Sequence, residues 1–151
     1  MILVDANLLL YAYDSASAHH RAARGWLEAA FSAPEPVGLA LVALLAFVRI
    51  GTNRRLRKAA FSTTEALAIV SGWLNRPRVA LLNPGETHWK ILGRLFVEGQ
   101  ASGNLVMDAH LAALAIEHGA TLATTDKDFT RFPGLRLVNP LVSETADEES
   151  G

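Results

Sequence analysis

Residues 103–126, GNLVMDAHLAALAIEHGATLATTD, place a long helix rich in alanine and leucine directly before a short strand. Gly119 separates the two elements, as is common for a glycine just past the end of a helix. We predict the helix from Gly103 to His118 and the strand from Thr121 to Thr124. A helix that leads straight into an apolar strand is typical of α/β proteins.

The same alternation of helix and strand continues through the rest of the chain. Short apolar runs predict four more strands, from Ile2 to Val4, Val37 to Ala40, Val79 to Leu82 and Leu135 to Val138. Between them, apolar residues recur at helical spacing, as in the segment from His19 to Phe31. Because the strands are apolar on both faces, we predict an α/β fold, a three-layer α/β/α sandwich with a mainly parallel sheet.

Composition limits the classes of protein that fit this chain. Its 151 residues suit a single domain, and a hydrophobic fraction of 50% argues against a disordered chain. The absence of cysteine excludes disulfides and thiolate zinc sites and fits a reducing compartment. We expect no signal peptide, and the longest apolar stretch, Val37 to Val48, is too short to span a bilayer. We therefore expect a cytoplasmic protein without a membrane segment.

The net charge of −1 hides an uneven distribution of charged residues. Four acids lie after Ser143, and we expect residues 142–151 to form an acidic, disordered tail. No acid lies between Glu35 and Glu65, whereas five basic residues do: Arg49, Arg54, Arg55, Arg57 and Lys58. Such a cluster suits contact with phosphates, and a solvated helix end is the alternative that the charge pattern leaves open.

Three aspartates stand in unusually apolar surroundings. Asp5 ends the run ILV, Asp108 lies near the start of the Ala/Leu helix, and Asp126 follows TLATT. Ligands bind at the carboxyl ends of strands in parallel sheets, where Asp5 and Asp126 fall. Asp108 joins them if the N-terminal end of its helix packs at the same edge.

A cluster of carboxylates requires a cation. Two carboxylates about 4 Å apart repel by roughly 4 kcal/mol at a surface-like dielectric. Mg²⁺ removes that repulsion, prefers carboxylate and phosphate oxygens, and activates water for phosphoryl chemistry. The alternative for each residue alone is structural: Asp5 and Asp108 could cap helices and Asp126 could form an Asx-turn.

Several motifs in this order resemble one known family. MILVDANLLLYA at residues 1–12, GNLVMDAHLAALAIEHGATLATTDKDF at 103–129, RFPGLR at 131–136 and LLAFVRIGTN at 44–53 resemble PIN-domain ribonucleases. More narrowly, they resemble the VapC toxins of bacterial type II toxin–antitoxin pairs. The resemblance covers residues 1–141, which we take as one PIN-like nuclease domain.

The resemblance implies a Mg²⁺- or Mn²⁺-dependent endoribonuclease that cleaves structured RNA, such as transfer or ribosomal RNA. By motif position, Asp5, Asp108 and Asp126 match the family's acids, and Asp128 matches an assisting acid. Asn7 and Thr125 match small polar residues that support the acids through hydrogen bonds. The family also implies a cognate VapB-like antitoxin and a homodimer.

One position departs from the family pattern. Many members place a Glu just before a Phe-Val-Arg-like sequence, whereas this chain has Ala46 followed by Phe47, Val48 and Arg49. Either the Asp residues suffice, or the site is weakened and the chain is a PIN scaffold that binds RNA or antitoxin, or the residue has been changed. A third function, a phosphatase with an Asp nucleophile, needs an acid two residues after Asp5, where Asn7 stands.

Overall fold

The computed structural model describes residues 1–142, so the predicted acidic tail lies almost entirely outside the described residues. The strands are β1 (Ile2–Val4), β2 (Val37–Ala40), β3 (Val79–Leu82), β4 (Thr121–Ala123) and β5 (Arg136–Val138). The helices are α1 (Ala6–Ala12), α2 (His20–Ser32), α3 (Leu41–Gly51), α4 (Thr63–Leu74), α5 (His88–Glu98) and α6 (Leu105–Glu117). A 3₁₀ helix covers Lys127–Arg131.

The five strands form one parallel sheet in the order β3-β2-β1-β4-β5. The central strand β1 pairs Ile2 with Val37 on one side and with Thr121 on the other. Leu3 and Val4 are fully buried but belong to two different core clusters, because successive side chains of a strand point to opposite faces. The sheet therefore has a core on each face.

Helices cover both cores, which confirms the predicted three-layer sandwich. On one face, α1, α2 and α4 contribute Leu8, Leu27 and Trp73. On the other face, α5 and α6 contribute Leu95 and Leu111. The two edge strands are less buried than the three inner strands. β3 and β5 have neighbours on one side and leave several residues exposed.

The predicted boundaries agree with the structure to within about two residues. Ser62 and Glu65 form a capping box at the start of α4, with bonds of 3.2 and 3.1 Å. β4 ends at Ala123 rather than at Thr124, and the 3₁₀ helix after it was not predicted. No helix within residues 1–142 is long and apolar enough to cross a membrane.

Candidate metal centre

The topology brings the three predicted aspartates to the carboxyl edge of the sheet. β1 and β4 are parallel neighbours, so the residues that follow them emerge side by side, and the Asp5 amide donates to the carbonyl of Ala123 at 3.0 Å. α6 runs back to the start of β4, which places its N-terminal turn, and Asp108 in it, at the same edge.

Three carboxylates form the tightest acidic group in this part of the molecule. Asp108, Asp126 and Asp128 each offer a carboxylate oxygen, and these oxygens all lie within 4.8 Å of one another. The 3₁₀ helix turns Asp128 toward the group, and its amide donates to Asp126 Oδ1 at 2.9 Å. The sequence predicts Asp5, Asp108 and Asp126 as the central group and Asp128 as an assisting acid. In the structure Asp128 is in the close group and Asp5 stands next to it.

The carboxylate of Asp5 is held by two hydrogen bonds. One oxygen accepts from the Ala6 amide at 2.7 Å and the other from the Thr124 hydroxyl at 2.8 Å. Burial raises the pKa of Asp5, the bonds from Thr124 and Ala6 oppose that rise, and the charge of Asp126 adds to it. Asp5 thus caps α1, as the structural alternative held, and still lies within electrostatic reach of Asp126.

The pKa of Asp108 reflects both its burial and the acids around it. Burial, followed by the negative charges of Asp126, Asp5 and Asp128, raises its pKa to about 6, while Arg131 opposes the rise. A carboxyl group with a pKa near 6 among other acids is characteristic of functional sites. Asp108 is therefore destabilised as an anion when no cation accompanies the group.

The donor set fits a single hard divalent cation. All the candidate ligand atoms are carboxylate oxygens, which Mg²⁺ and Mn²⁺ prefer over nitrogen or sulfur. Opposite oxygens around Mg²⁺ lie about 4.2 Å apart, since each bond is about 2.1 Å long. The separation of at most 4.8 Å among Asp108, Asp126 and Asp128 is close to that span. Small side-chain movements would bring these oxygens onto one ion.

The supporting polar residues differ by one position from those predicted. Thr124, which the sequence analysis did not single out, donates to Asp5, and its hydroxyl accepts from the Asp126 amide at 3.0 Å. Asn7 does not bond to Asp5 but donates to the Thr125 hydroxyl at 2.8 Å and, more weakly, to Thr124 at 3.4 Å. Thr124 therefore links Asp5 to Asp126. Asn7 donates to the hydroxyls of both Thr124 and Thr125 and so supports that link.

Ala46 lies on the wall of this site. A cavity of about 640 Å³ opens beside the acids, and its lining includes Asp5, Asp108, Ala46 and Arg49. The position that many members of the family fill with Glu thus lines the same cavity as Asp5 and Asp108. The departure at residue 46 therefore changes the site itself and not a remote surface.

The basic cluster divides into two kinds of residue. Arg49, Arg54, Arg55 and Lys58 are exposed, and Arg49 lines the cavity with Asp5 and Asp108. Arg57 is different: its side chain is 8% exposed, donates to the Tyr13 carbonyl at 2.9 Å and stacks on Phe61. The assignment of Arg57 to RNA contact is corrected to a structural role, because its guanidinium fixes the 52–62 segment to the end of α1.

Arg131 is a further residue of the site that sequence reasoning missed. Its Nη1 donates to the carbonyls of Gly99 and Gln100, at 3.1 and 3.4 Å, in the connection before α6. Its Nε donates to the carbonyl of Asp128 at 3.3 Å. One guanidinium therefore ties the 3₁₀ helix that carries Asp128 to the segment that leads into the helix of Asp108. The motif RFPGLR contained the signal, but the motif alone does not say what the Arg contacts.

We expect Arg131→Met to weaken Mn²⁺ binding about tenfold, because outer residues that orient metal ligands contribute roughly 10- to 100-fold. Titration of Mn²⁺ followed by electron paramagnetic resonance would measure the affinity. Arg136→Met is the matched control, since Arg136 bonds to the Gly119 carbonyl at the other end of α6. Equal affinities for both variants would show that Arg131 does not position the acids.

Comparisons with known proteins agree with the fold and the motif order. The model of the PIN domain family matches residues 2–135. Ribonuclease VapC37 of Mycobacterium tuberculosis is 44% identical over 140 residues, which cover 93% of this chain and 97% of the relative. The structure of VapBC2 from Rickettsia felis, bound to a DNA fragment from its promoter, superposes with a TM-score of 0.68 at 22% identity, over 92% of this chain and 98% of that one. VapC20 of Mycobacterium tuberculosis, described as a sarcin–ricin loop cleaving toxin, superposes with a TM-score of 0.61 at 20% identity, over 90% and 99% of the two chains.

Proposed function

The chain belongs to the PIN-domain family, in the branch of the VapC ribonucleases, and on this premise we propose that it is a Mg²⁺- or Mn²⁺-dependent endoribonuclease and the toxin of a toxin–antitoxin pair. The observation that carries the proposal is the group of Asp108, Asp126 and Asp128, whose oxygens lie within 4.8 Å of one another beside Asp5.

The proposed roles follow from the contacts of each acid. Asp108, Asp126 and Asp128 would hold the ion, and Asp5 would complete the site from the neighbouring strand. When bound, a divalent ion lowers the pKa of a coordinated water and neutralises charge on a phosphodiester. Thr124 keeps Asp5 and Asp126 at a fixed separation through its two hydrogen bonds. Asn7 and Thr125 support that link, and Arg131 positions Asp128.

RNA is the proposed substrate, and its backbone would follow the exposed basic residues. Arg49 lines the same cavity as Asp5 and Asp108, and Arg54, Arg55 and Lys58 lie on the segment that Arg57 fixes to the far end of α1. α1 is about 10 Å long, so these cations can contact phosphates beyond the one that is cleaved. Structured RNA such as transfer or ribosomal RNA is the class we propose, and the description of VapC20 supports it.

We further propose a VapB-like antitoxin as the protein partner and a homodimer as the assembly of the toxin. The Rickettsia felis relative was solved as VapBC2 on promoter DNA, which supports a paired antitoxin. The second candidate function is a weakly active scaffold that binds RNA or antitoxin. It rests on Ala46, which puts a methyl group where the cavity would accept a carboxylate.

The first test is metal-dependent cleavage of RNA. We expect EDTA to abolish cleavage and added Mn²⁺ or Mg²⁺ to restore it, because the acids repel a phosphate when no cation is present. Asp5→Asn should lower the rate at saturating metal by at least tenfold, as measured by gel electrophoresis of labelled RNA. Glu28→Gln, on the exposed face of α2, is the control and should keep the parental rate. Cleavage by Asp5→Asn at the parental rate, or cleavage that persists in EDTA, would overturn the proposal.

A further inference from the structure

The cavity beside the acids is lined partly by apolar residues, which have no role in the proposed metal site. Val42, Leu45, Ala46 and Arg49 lie three and four residues apart and so share one face of α3, while Met107 and Leu111 face them from α6. Asp5 and Asp108 lie at the carboxyl edge of the sheet, where α3 begins, and Arg49 lies in the last turn of α3, about two turns beyond Val42. The lining between these charged residues is apolar.

Both ends of this cavity attract phosphate once the acids hold a cation. A phosphate at the acids and the next one at Arg49 would place the intervening nucleoside over the apolar middle of the cavity. Along a single RNA strand, a phosphate, a nucleoside and the next phosphate follow one another in the same order. The cavity therefore matches one nucleotide step whose base is turned into it. Unpaired bases that are splayed out and held on side chains are the usual targets of specific RNA recognition.

Two exposed apolar side chains stand at the rim. Leu45 is 58% exposed and Met107 is 52% exposed, and they belong to α3 and α6, the two helices that line the cavity. Ala46, like the neighbouring Ala43 and Ala6, adds little volume to the wall. A Glu at position 46 would project a charge into this space, whereas Ala leaves the space open and apolar.

We propose that this cavity is a nucleobase pocket, which holds an unpaired base adjacent to the scissile phosphate between Leu45 and Met107. The inference rests on the proposed ribonuclease activity and adds a specificity determinant to it. A purine gains more apolar contact than a pyrimidine, so the expected preference is purine, then pyrimidine, then an abasic nucleotide.

The test begins with the cleavage sites in a pool of random-sequence RNA, which identify the preferred base beside the cut. A defined RNA is then made with that base or with an abasic nucleotide at the same position. We expect kcat/KM to differ by roughly tenfold or more between the two substrates, because burial of about 60 Å² of apolar base surface corresponds to a tenfold change. Ala46→Leu, which fills the cavity, should bring the ratio close to one, and Leu45→Ala should lower it. Ala29→Leu on exposed α2 is the control and should keep the parental ratio.

A binding measurement at saturating Mg²⁺, taken by rapid mixing before product forms, separates this inference from the activity. RNA that carries 2-aminopurine at the same position should change fluorescence on binding to the parental protein and not on binding to Ala46→Leu. Metal-dependent cleavage with equal kcat/KM for base and abasic substrates would overturn the pocket and leave the ribonuclease intact. A parental ratio in Ala46→Leu, together with lost inhibition by the antitoxin, would also overturn it and assign the cavity to a protein segment. Absence of any cleavage would instead count against the proposed function.

Discussion

Asp108→Asn is expected to lower metal-dependent RNA cleavage by at least about a hundredfold. Asp108 is one of three acids with oxygens within 4.8 Å of one another, and it is the acid from α6 in that group. Residues that merely orient metal ligands contribute about 10- to 100-fold, so removal of a ligand itself should cost at least as much as the upper end of that range. Cleavage at several Mn²⁺ concentrations would separate weaker binding of the ion from a slower reaction at saturation.

The same substitution is expected to stabilise the metal-free protein at neutral pH. The pKa of Asp108 is raised to about 6 in the folded protein from an ordinary value of 3.8, so the folded state binds more protons between these values. Stability in EDTA therefore falls as pH rises from about 4 to 6 and stays reduced above that window. With allowance for solvent screening, the effect is about 1–2 kcal/mol.

Thermal unfolding in EDTA between pH 4 and 8 measures this effect. The parental melting temperature should fall across the window, and Asp108→Asn should show a smaller decrease and a higher melting temperature at pH 7. The decrease should not vanish, because the pKa of Asp5 is raised in the same direction. Added Mn²⁺ should raise the parental melting temperature and have less effect on the variant. A variant that melts below the parental protein at pH 7 in EDTA would contradict the account of the cluster as mutually repelling acids.

The fold was predictable because its signals are local and repeated. Each strand is a short apolar run bounded by turn residues, and each helix carries its own apolar spacing. The burial of Leu3 and Val4 in two separate cores follows from the lack of a polar face on β1. The exposure of β3 and β5 could not be predicted in the same way, because strand order decides which strands lie at the edges.

The acids were found by context, but their arrangement required the turn after β4. Asp5, Asp108 and Asp126 stand at element ends in apolar surroundings, which a sequence displays directly. The place of Asp128 in the close group depends on the 3₁₀ helix, whose polar residues have no periodic signal. The choice of Thr124 over Thr125 as the donor to Asp5 depends on which way a side chain points at the end of a strand. A shift of one residue reverses that direction.

A cluster of basic residues in the sequence does not show whether each side chain points toward solvent or into the protein. Arg54, Arg55, Arg57 and Lys58 look alike in the sequence, yet the guanidinium of Arg57 is turned inward onto Phe61. The difference arises from a tertiary contact with Tyr13, which is 44 residues away in the chain. Arg131 shows the converse case, since its role rests on the carbonyls of Gly99 and Gln100 in a distant connection.

Ala46→Glu is expected to bind Mn²⁺ at least about tenfold more tightly than the parental protein. Residue 46 lines the same cavity as Asp5 and Asp108, so the new carboxylate can reach the ion that we propose there. A further negative charge among these acids should also lower the melting temperature in EDTA, since unpaired like charges repel. Ala46→Gln has nearly the same shape without the charge and is the matched control for both measurements.

The cleavage rate of Ala46→Glu at saturating Mn²⁺ then decides between the two candidate functions. We expect it to stay within several-fold of the parental rate, because the close group of Asp108, Asp126 and Asp128 already offers three ligand oxygens. A gain of orders of magnitude would instead identify the parental chain as a weakly active scaffold. The nucleobase pocket adds a second expectation: the glutamate side chain should remove the preference for a base over an abasic nucleotide. Ala46→Gln should remove that preference as well, because its volume fills the pocket, while its Mn²⁺ affinity stays parental. Alanine at this position would then bind the ion more weakly than glutamate, but it would allow the base beside the cut to be recognised.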